Sequence, residues 1–170
     1  MRLDPTSLRL VNLRECKPGT FIWYWHGANS TFEQGVCLAP QQERPQEVSL
    51  LRLTGTSPFV IEPFPAQMKV PVIAVASGPF RLNFSRSSLT QDHPASPGTL
   101  VIADDAAYVF SKGKGNDGFV SDFYVSLKNW SCTEHLQATR QFRASEWSLV
   151  QADEGGCCED WPLIEFQRSS

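Results

Sequence analysis

Residues 99–127 read TLVIADDAAYVFSKGKGNDGFVSDFYVSL, and the reading of this stretch decides the fold class. Thr99 to Ala103 and Ala107 to Ser111 are short runs of β-formers separated by the turn pair Asp104-Asp105. A glycine-rich stretch then leads into Phe119 to Leu127. There Phe119, Ser121, Phe123, Val125 and Leu127 alternate with Val120, Asp122, Tyr124, Ser126 and Lys128. That two-residue period gives a strand with two unlike faces, so the stretch predicts a three-strand meander.

The same signals extend in both directions. Toward the N-terminus, strands are predicted at Leu8 to Leu13, Thr20 to His26, Phe32 to Leu38, Val48 to Leu53, Val60 to Phe64, Val70 to Ala76 and Phe80 to Phe84. Pro58, Pro63, Pro65 and Pro71 remove ladder donors, which suits edges, bulges and crossings between sheets. Toward the C-terminus, Trp147 to Gln151 and Pro162 to Phe166 flank a Gly-Gly-Cys-Cys-Glu-Asp turn. Ser131 to Ala144 is the one candidate helix, with Ser131 and Glu134 spaced as a capping box. Leu136, Ala138, Phe142 and Ala144 in the same segment also fit a strand period. About ten short strands with at most one short helix predict an all-β sandwich or barrel, mostly antiparallel. The expectation is a single domain over residues 1–170. Ser85 to Gly98, the longest run of turn formers, is either a long polar loop or a linker between two sub-sheets.

Composition narrows the function classes. The chain has 170 residues, 41% of them hydrophobic and 19% charged, which suits a folded globular protein rather than a disordered one. Eighteen acidic residues face fifteen basic ones, a formal charge of -3, so no basic excess marks a nucleic-acid partner. No apolar run approaches a bilayer span, and Met1 to Leu13 alternates rather than forming a leader's apolar block. The expectation is a cytoplasmic, non-membrane protein. The five cysteines, irregularly spaced, do not make a disulfide framework. Three glycosylation sequons, at Asn29, Asn83 and Asn129, carry meaning only in a secreted chain and are read as coincidence.

Several motifs carry chemistry on paper. Gly113 to Val120 satisfies G-x-G-x-x-G-x-V, but a dinucleotide site needs a helix after the glycines, and here a strand follows. The H-R-D and D-F-G elements of a kinase are also missing, so the glycines are read as a hairpin turn. Cys132, His135, Cys157 and Cys158 supply thiolate and imidazole ligands that could hold zinc. The pattern lacks a second knuckle, and three reduced thiols with a surface histidine are the simpler reading; the expectation is no cofactor, with zinc the alternative. No spacing pairs His26, His93 or His135 with a nucleophile.

The aromatic strand remains. Phe21, Trp23 and Trp25 fall on one face; Ile22, Tyr24 and His26 fall on the other, with Glu33 on the neighbouring strand. Trp23, Tyr24, Trp25 and His26 could hold a carbohydrate or another small molecule, or could belong to a strand buried on both faces. Without catalytic spacing, the leading expectation is a non-enzymatic protein that binds another protein, such as an inhibitor or immunity-type protein. In that reading Asp104, Asp105, Glu159 and Asp160 would mask a partner's basic site. The alternatives are the aromatic-strand ligand binder and a metal-assisted enzyme at the Cys/His set. Strand order and oligomeric state do not follow from the sequence.

Overall fold

A computed structural model describes residues 9–26, 31–76, 80–91, 95–114, 118–137, 140–151 and 162–167. The protein is all-β: the described residues form three antiparallel sheets, with no closed barrel and no helix of seven or more residues among them. Among the described residues the helical content is two 3₁₀ turns, Leu13–Glu15 and Arg86–Ser88. None is long and apolar enough to cross a membrane. The chain divides into two compact units, residues 1–77 with 129–132, and residues 78–128 with 133–170.

The first unit is one sheet. Its strands are β1 (Arg9–Asn12), β2 (Phe21–His26), β3 (Thr31–Cys37), β4 (Glu47–Arg52), β5 (Ile61–Pro65) and β6 (Pro71–Ala76). They lie in the order β1-β6-β2-β3-β4-β5. The prolines fall where their missing N–H groups are tolerated: Pro63 and Pro65 in the edge strand β5, and Pro71 at the first residue of β6. Register places Tyr24 opposite Glu33 and Val72, and Trp25 opposite Phe32, so the predicted split of the aromatic strand into two faces holds. Leu13, Ile22, Tyr24, Cys37, Leu50 and Val72 form the core of one face. Part of the other face is closed by Trp130, whose ring meets Phe21 edge-on at 5.7 Å. Gly19 (φ +81°) lets the chain pass beneath that indole; a Cβ there would collide with the ring.

The second unit holds β7 (Phe80–Phe84), β8 (Leu89–Thr90), β9 (Leu100–Ala103), β10 (Ala106–Lys114), β11 (Val120–Ser126), β13 (Gln141–Ala144), β14 (Glu146–Gln151) and β15 (Pro162–Gln167); β12 (Cys132–Thr133) begins on the last residue of the first unit. The meander β9-β10-β11 is present, with Lys114 paired to Val120, so β10 and β11 form a hairpin. The sheet order is β12-β11-β10-β9-β13-β8. A second sheet runs β15-β14-β7. β13 and β14 are separated only by Ser145, and β7 and β8 by the Arg86–Ser88 turn, so two paired segments bend together from one sheet into the other. The corner is tied by Trp147, whose Nε1 donates to Gly98 O at 2.7 Å, and by Ser88 Oγ donating to Glu146 O at 3.3 Å.

The described residues hold fifteen strands; the twelve segments read from the sequence are all present, and β8, β12 and β13, too short or too polar to announce themselves, make up the rest. In 131–144 the strand period prevails over the capping box: Phe142 and Ala144 pair with Ile102 and Leu100 in β9, and the described residues of that segment hold no helix. Backbone pairing to a buried neighbour outweighs local propensity there. Residues 85–98 hold the 3₁₀ turn and β8 and lie within the second unit.

Gly19→Ala carries two costs, a left-handed φ and the clash with Trp130, whereas Gly118→Ala at φ +82° has open space and carries the strain alone. Urea denaturation should show Gly118→Ala losing about 1 kcal/mol and Gly19→Ala at least about 2 kcal/mol. Equal losses would mean that the indole yields freely.

Candidate functional site

The second unit presents an open pocket of about 540 Å³ at the β9–β10 turn. Asp104, Asp105 and Tyr108 line it from the hairpin, Thr133 from the end of β12, and His135 and Gln137 from the segment after it. The hairpin is tight because Ala103 pairs directly with Ala106, leaving two residues to reverse the chain. Asp104 takes a positive φ of 52°, a conformation that Asp tolerates better than most side chains. Both aspartates are exposed at the turn, and the ladder behind them fixes the backbone that carries the two carboxylates. His135 is held by its own segment: Thr133 Oγ1 donates to His135 O at 3.0 Å and accepts from His135 N at 3.4 Å.

The structure thus brings Asp104 and Asp105 together with His135, residues that the sequence assigned to different sites. Glu159, Asp160, Cys157 and Cys158 lie outside the described residues. Cys132 is half-buried and receives a hydrogen bond from Gln41 Nε2 at 2.8 Å within the first unit. Among the described residues no group of three or more His, Cys, Asp or Glu side chains converges as a metal site requires.

The four aromatic-strand residues divide between faces. Trp25 and Phe32 are exposed, 51% and 62%, and their rings meet at 5.2 Å and 75°. Trp23 is half-buried on that same face. Tyr24 and His26 point the other way, into a polar cluster that the sequence only hinted at through Glu33. Tyr24 Oη donates to Glu62 Oε2 at 3.1 Å and lies 3.5 Å from Glu33 Oε2. His26 Nε2 is 3.5 Å from Glu62 Oε1, and its Nδ1 is 4.0 Å from Glu33 Oε1. Arg52 Nε sits 3.7 Å from Glu33 Oε2 and donates to Ser57 O at 3.0 Å.

Glu33 is 2% exposed, and the loop at Gly55 (φ +92°) closes over it so tightly that a Cβ there would stand 2.5 Å from Oε1. A buried carboxylate is tolerable only with such partners. The two ring nitrogens of His26 face different carboxylates, so the three side chains do not converge on one point. The phenol donates to the carboxylates, but His26 Nδ1 has no hydrogen-bond partner among the described residues, so no continuous chain of donors and acceptors runs through the imidazole, and Tyr24 and Glu33 offer almost no surface to a substrate. Glu62 and Arg52 were missed, although each is a lone charge inside an apolar run, Val60 to Phe64 and Val48 to Leu53.

A smaller pocket of about 300 Å³ lies beside β14, where Phe84, Trp147 and Phe166 stand near Asn83, Glu146 and Glu165. No protein-family model, curated protein or solved structure matches the chain.

Burial, followed by the charge and hydrogen bonding of Glu62 and the charge of Glu33, raises the Tyr24 pKa well above the ordinary phenol value, Arg52 opposing. An unfolded chain therefore releases the Tyr24 proton first. The stabilisation is present below pH of about 10 and is lost progressively above it, toward the raised folded value. Denaturation across that range should show stability falling more steeply in the natural chain than in Tyr24→Phe. At neutral pH, Tyr24→Phe should itself lose about 1–3 kcal/mol, because it strips a donor from partly buried carboxylates. Parallel pH slopes would show that Tyr24 ionises freely.

Proposed function

We propose that the chain is a non-enzymatic binding protein whose Asp104–Asp105 pocket receives a basic side chain of a partner protein. The observation that carries this reading is the pair of exposed carboxylates in one open pocket beside Tyr108. A lysine or arginine entering it meets two negative charges, hydrogen-bond acceptors from Thr133 and Gln137, and an aromatic ring suited to a cation. The pocket remains open, so its charges act over distance on an approaching partner and shape the association rate. An inhibitor or immunity-type protein that masks a basic site works in this way.

A second reading, a carbohydrate or small-molecule binder, is favoured by the exposed Trp25–Phe32 pair and by the smaller pocket, which joins aromatic rings to amide and carboxylate groups.

Binding of fluorescent arginine- and lysine-containing probe peptides, followed by anisotropy at low and moderate salt, tests the first reading. Asp104→Asn with Asp105→Asn should weaken binding roughly five- to thirtyfold, about 0.5–1 kcal/mol per carboxylate, and flatten the salt dependence. An unchanged affinity and salt slope would overturn the proposal. Quenching of tryptophan fluorescence by oligosaccharides, with no basic-peptide binding, would favour the second.

A further inference from the structure

The face of the first sheet that carries Phe21, Trp23 and Trp25 is closed at one end and open at the other. At the closed end Phe21 and Val36, paired across β2 and β3, are buried, and Trp130 meets Phe21 edge-on. At the open end two rows of side chains cross the strands. Leu10, Ile73, Trp23 and Gln34 stand in register on β1, β6, β2 and β3, and Trp25 and Phe32 form the next row. Leu10 is 77% exposed, Trp25 and Phe32 keep half or more of their surface in solvent, and the other three are half-buried.

None of these six side chains is charged. Leu10, Trp25 and Phe32 expose on the order of 400 Å², and the three half-buried neighbours bring the face to on the order of 600 Å², the upper end of what a soluble monomer leaves open. Two such faces brought together remove on the order of 1,200 Å² from water, the lower end of the range for specific protein interfaces. The lack of charge selects the partner. A patch with charge of one sign repels its own copy across a two-fold axis, where both sides present the same side chains. No such repulsion arises here, and aromatic-rich, charge-poor surfaces make up the centres of homodimer interfaces. A partner recognised by its charge finds nothing on this face to read.

We propose that this face joins two copies of the chain in an isologous dimer, sheet against sheet, with Trp25 and Phe32 as its anchors. The proposal is independent of the Asp104–Asp105 pocket, which lies in the second unit. With no charge pairs to screen, the association does not weaken as salt rises. Its modest area makes it a micromolar association, assembled and dissolved by changes in concentration.

Sedimentation velocity of the full chain between about 1 and about 200 μM tests it. The weight-average mass should climb from 19.0 kDa toward twice that value, with the same midpoint at low and moderate salt. Leu10→Lys with Phe32→Lys should weaken association at least about tenfold, because positive charges then meet across the axis. Mixing that double variant with Leu10→Glu, Phe32→Glu chains should restore a mixed dimer. Hydroxyl-radical footprinting of the natural chain gives a readout that requires no variant to fold. Leu10, Trp25 and Phe32 should gain protection on concentration, while the exposed Phe119 of the second unit should not. A mass that stays at 19.0 kDa throughout overturns the proposal. An association that salt or Asp104→Asn with Asp105→Asn abolishes, and that the lysine variant retains, overturns it equally. Protection of Trp25 by an oligosaccharide in a chain that stays monomeric would give the face to a sugar instead.

Discussion

A carboxylate buried in an all-β unit must be satisfied by its neighbours, and Glu33 sets that demand on the first sheet. It arrives on β3 directly opposite Tyr24, and the surrounding strands each send a partner toward it or toward Glu62: Tyr24 and His26 from β2, Arg52 from β4. The β4–β5 loop completes the enclosure because Gly55 has no side chain to hold it away. Removing Tyr24 or Arg52 takes a partner from a buried carboxylate, which costs more than the contact itself contributes. Such a cluster selects one register among the six strands, since a slip by one residue would turn Glu33 toward the opposite face.

The second unit solves a different problem. Its sheets are joined by two paired segments that bend together, so the corner is a continuation of strand pairing rather than a loop. The Trp147 indole and the Ser88 hydroxyl satisfy backbone carbonyls that a bend would otherwise leave open. On this frame the backbone of the β9–β10 turn is set by the direct pairing of Ala103 with Ala106, so the positions of Asp104 and Asp105 on the turn are set with it.

Most of the fold was legible because its strands alternate. β2, β3, β9, β10 and β11 follow the side-chain period closely, and the prolines of β5 and β6 fall where a missing donor is harmless. β8, β12 and β13 were not legible, since two to four residues cannot display a period, and Gln141 to Ala144 gains its strand from Leu100 to Ala103 across the sheet. The sites were legible only in part. His26 and Glu33 stand out on adjacent strands, and Asp104-Asp105 marks a turn, but no spacing links either acid to His135. Arg52 and Glu62 enter the cluster through β3–β4 and β4–β5 pairing, and such non-local contacts leave no trace in linear spacing.

The two outer strands of the first sheet share a property that bears on how the molecule behaves in a crowd. β1 offers four residues beginning with Arg9, and β5 offers five, of which Pro63 and Pro65 lack amide hydrogens. An incoming extended chain finds at one border a template too short to hold it and at the other a row with gaps. Fibrillar growth by strand addition is thereby discouraged at both borders, even though Leu10, Trp25 and Phe32 leave this unit with an adhesive face. Self-association through that face is left to side chains, which favours finite and reversible assemblies over open-ended ones.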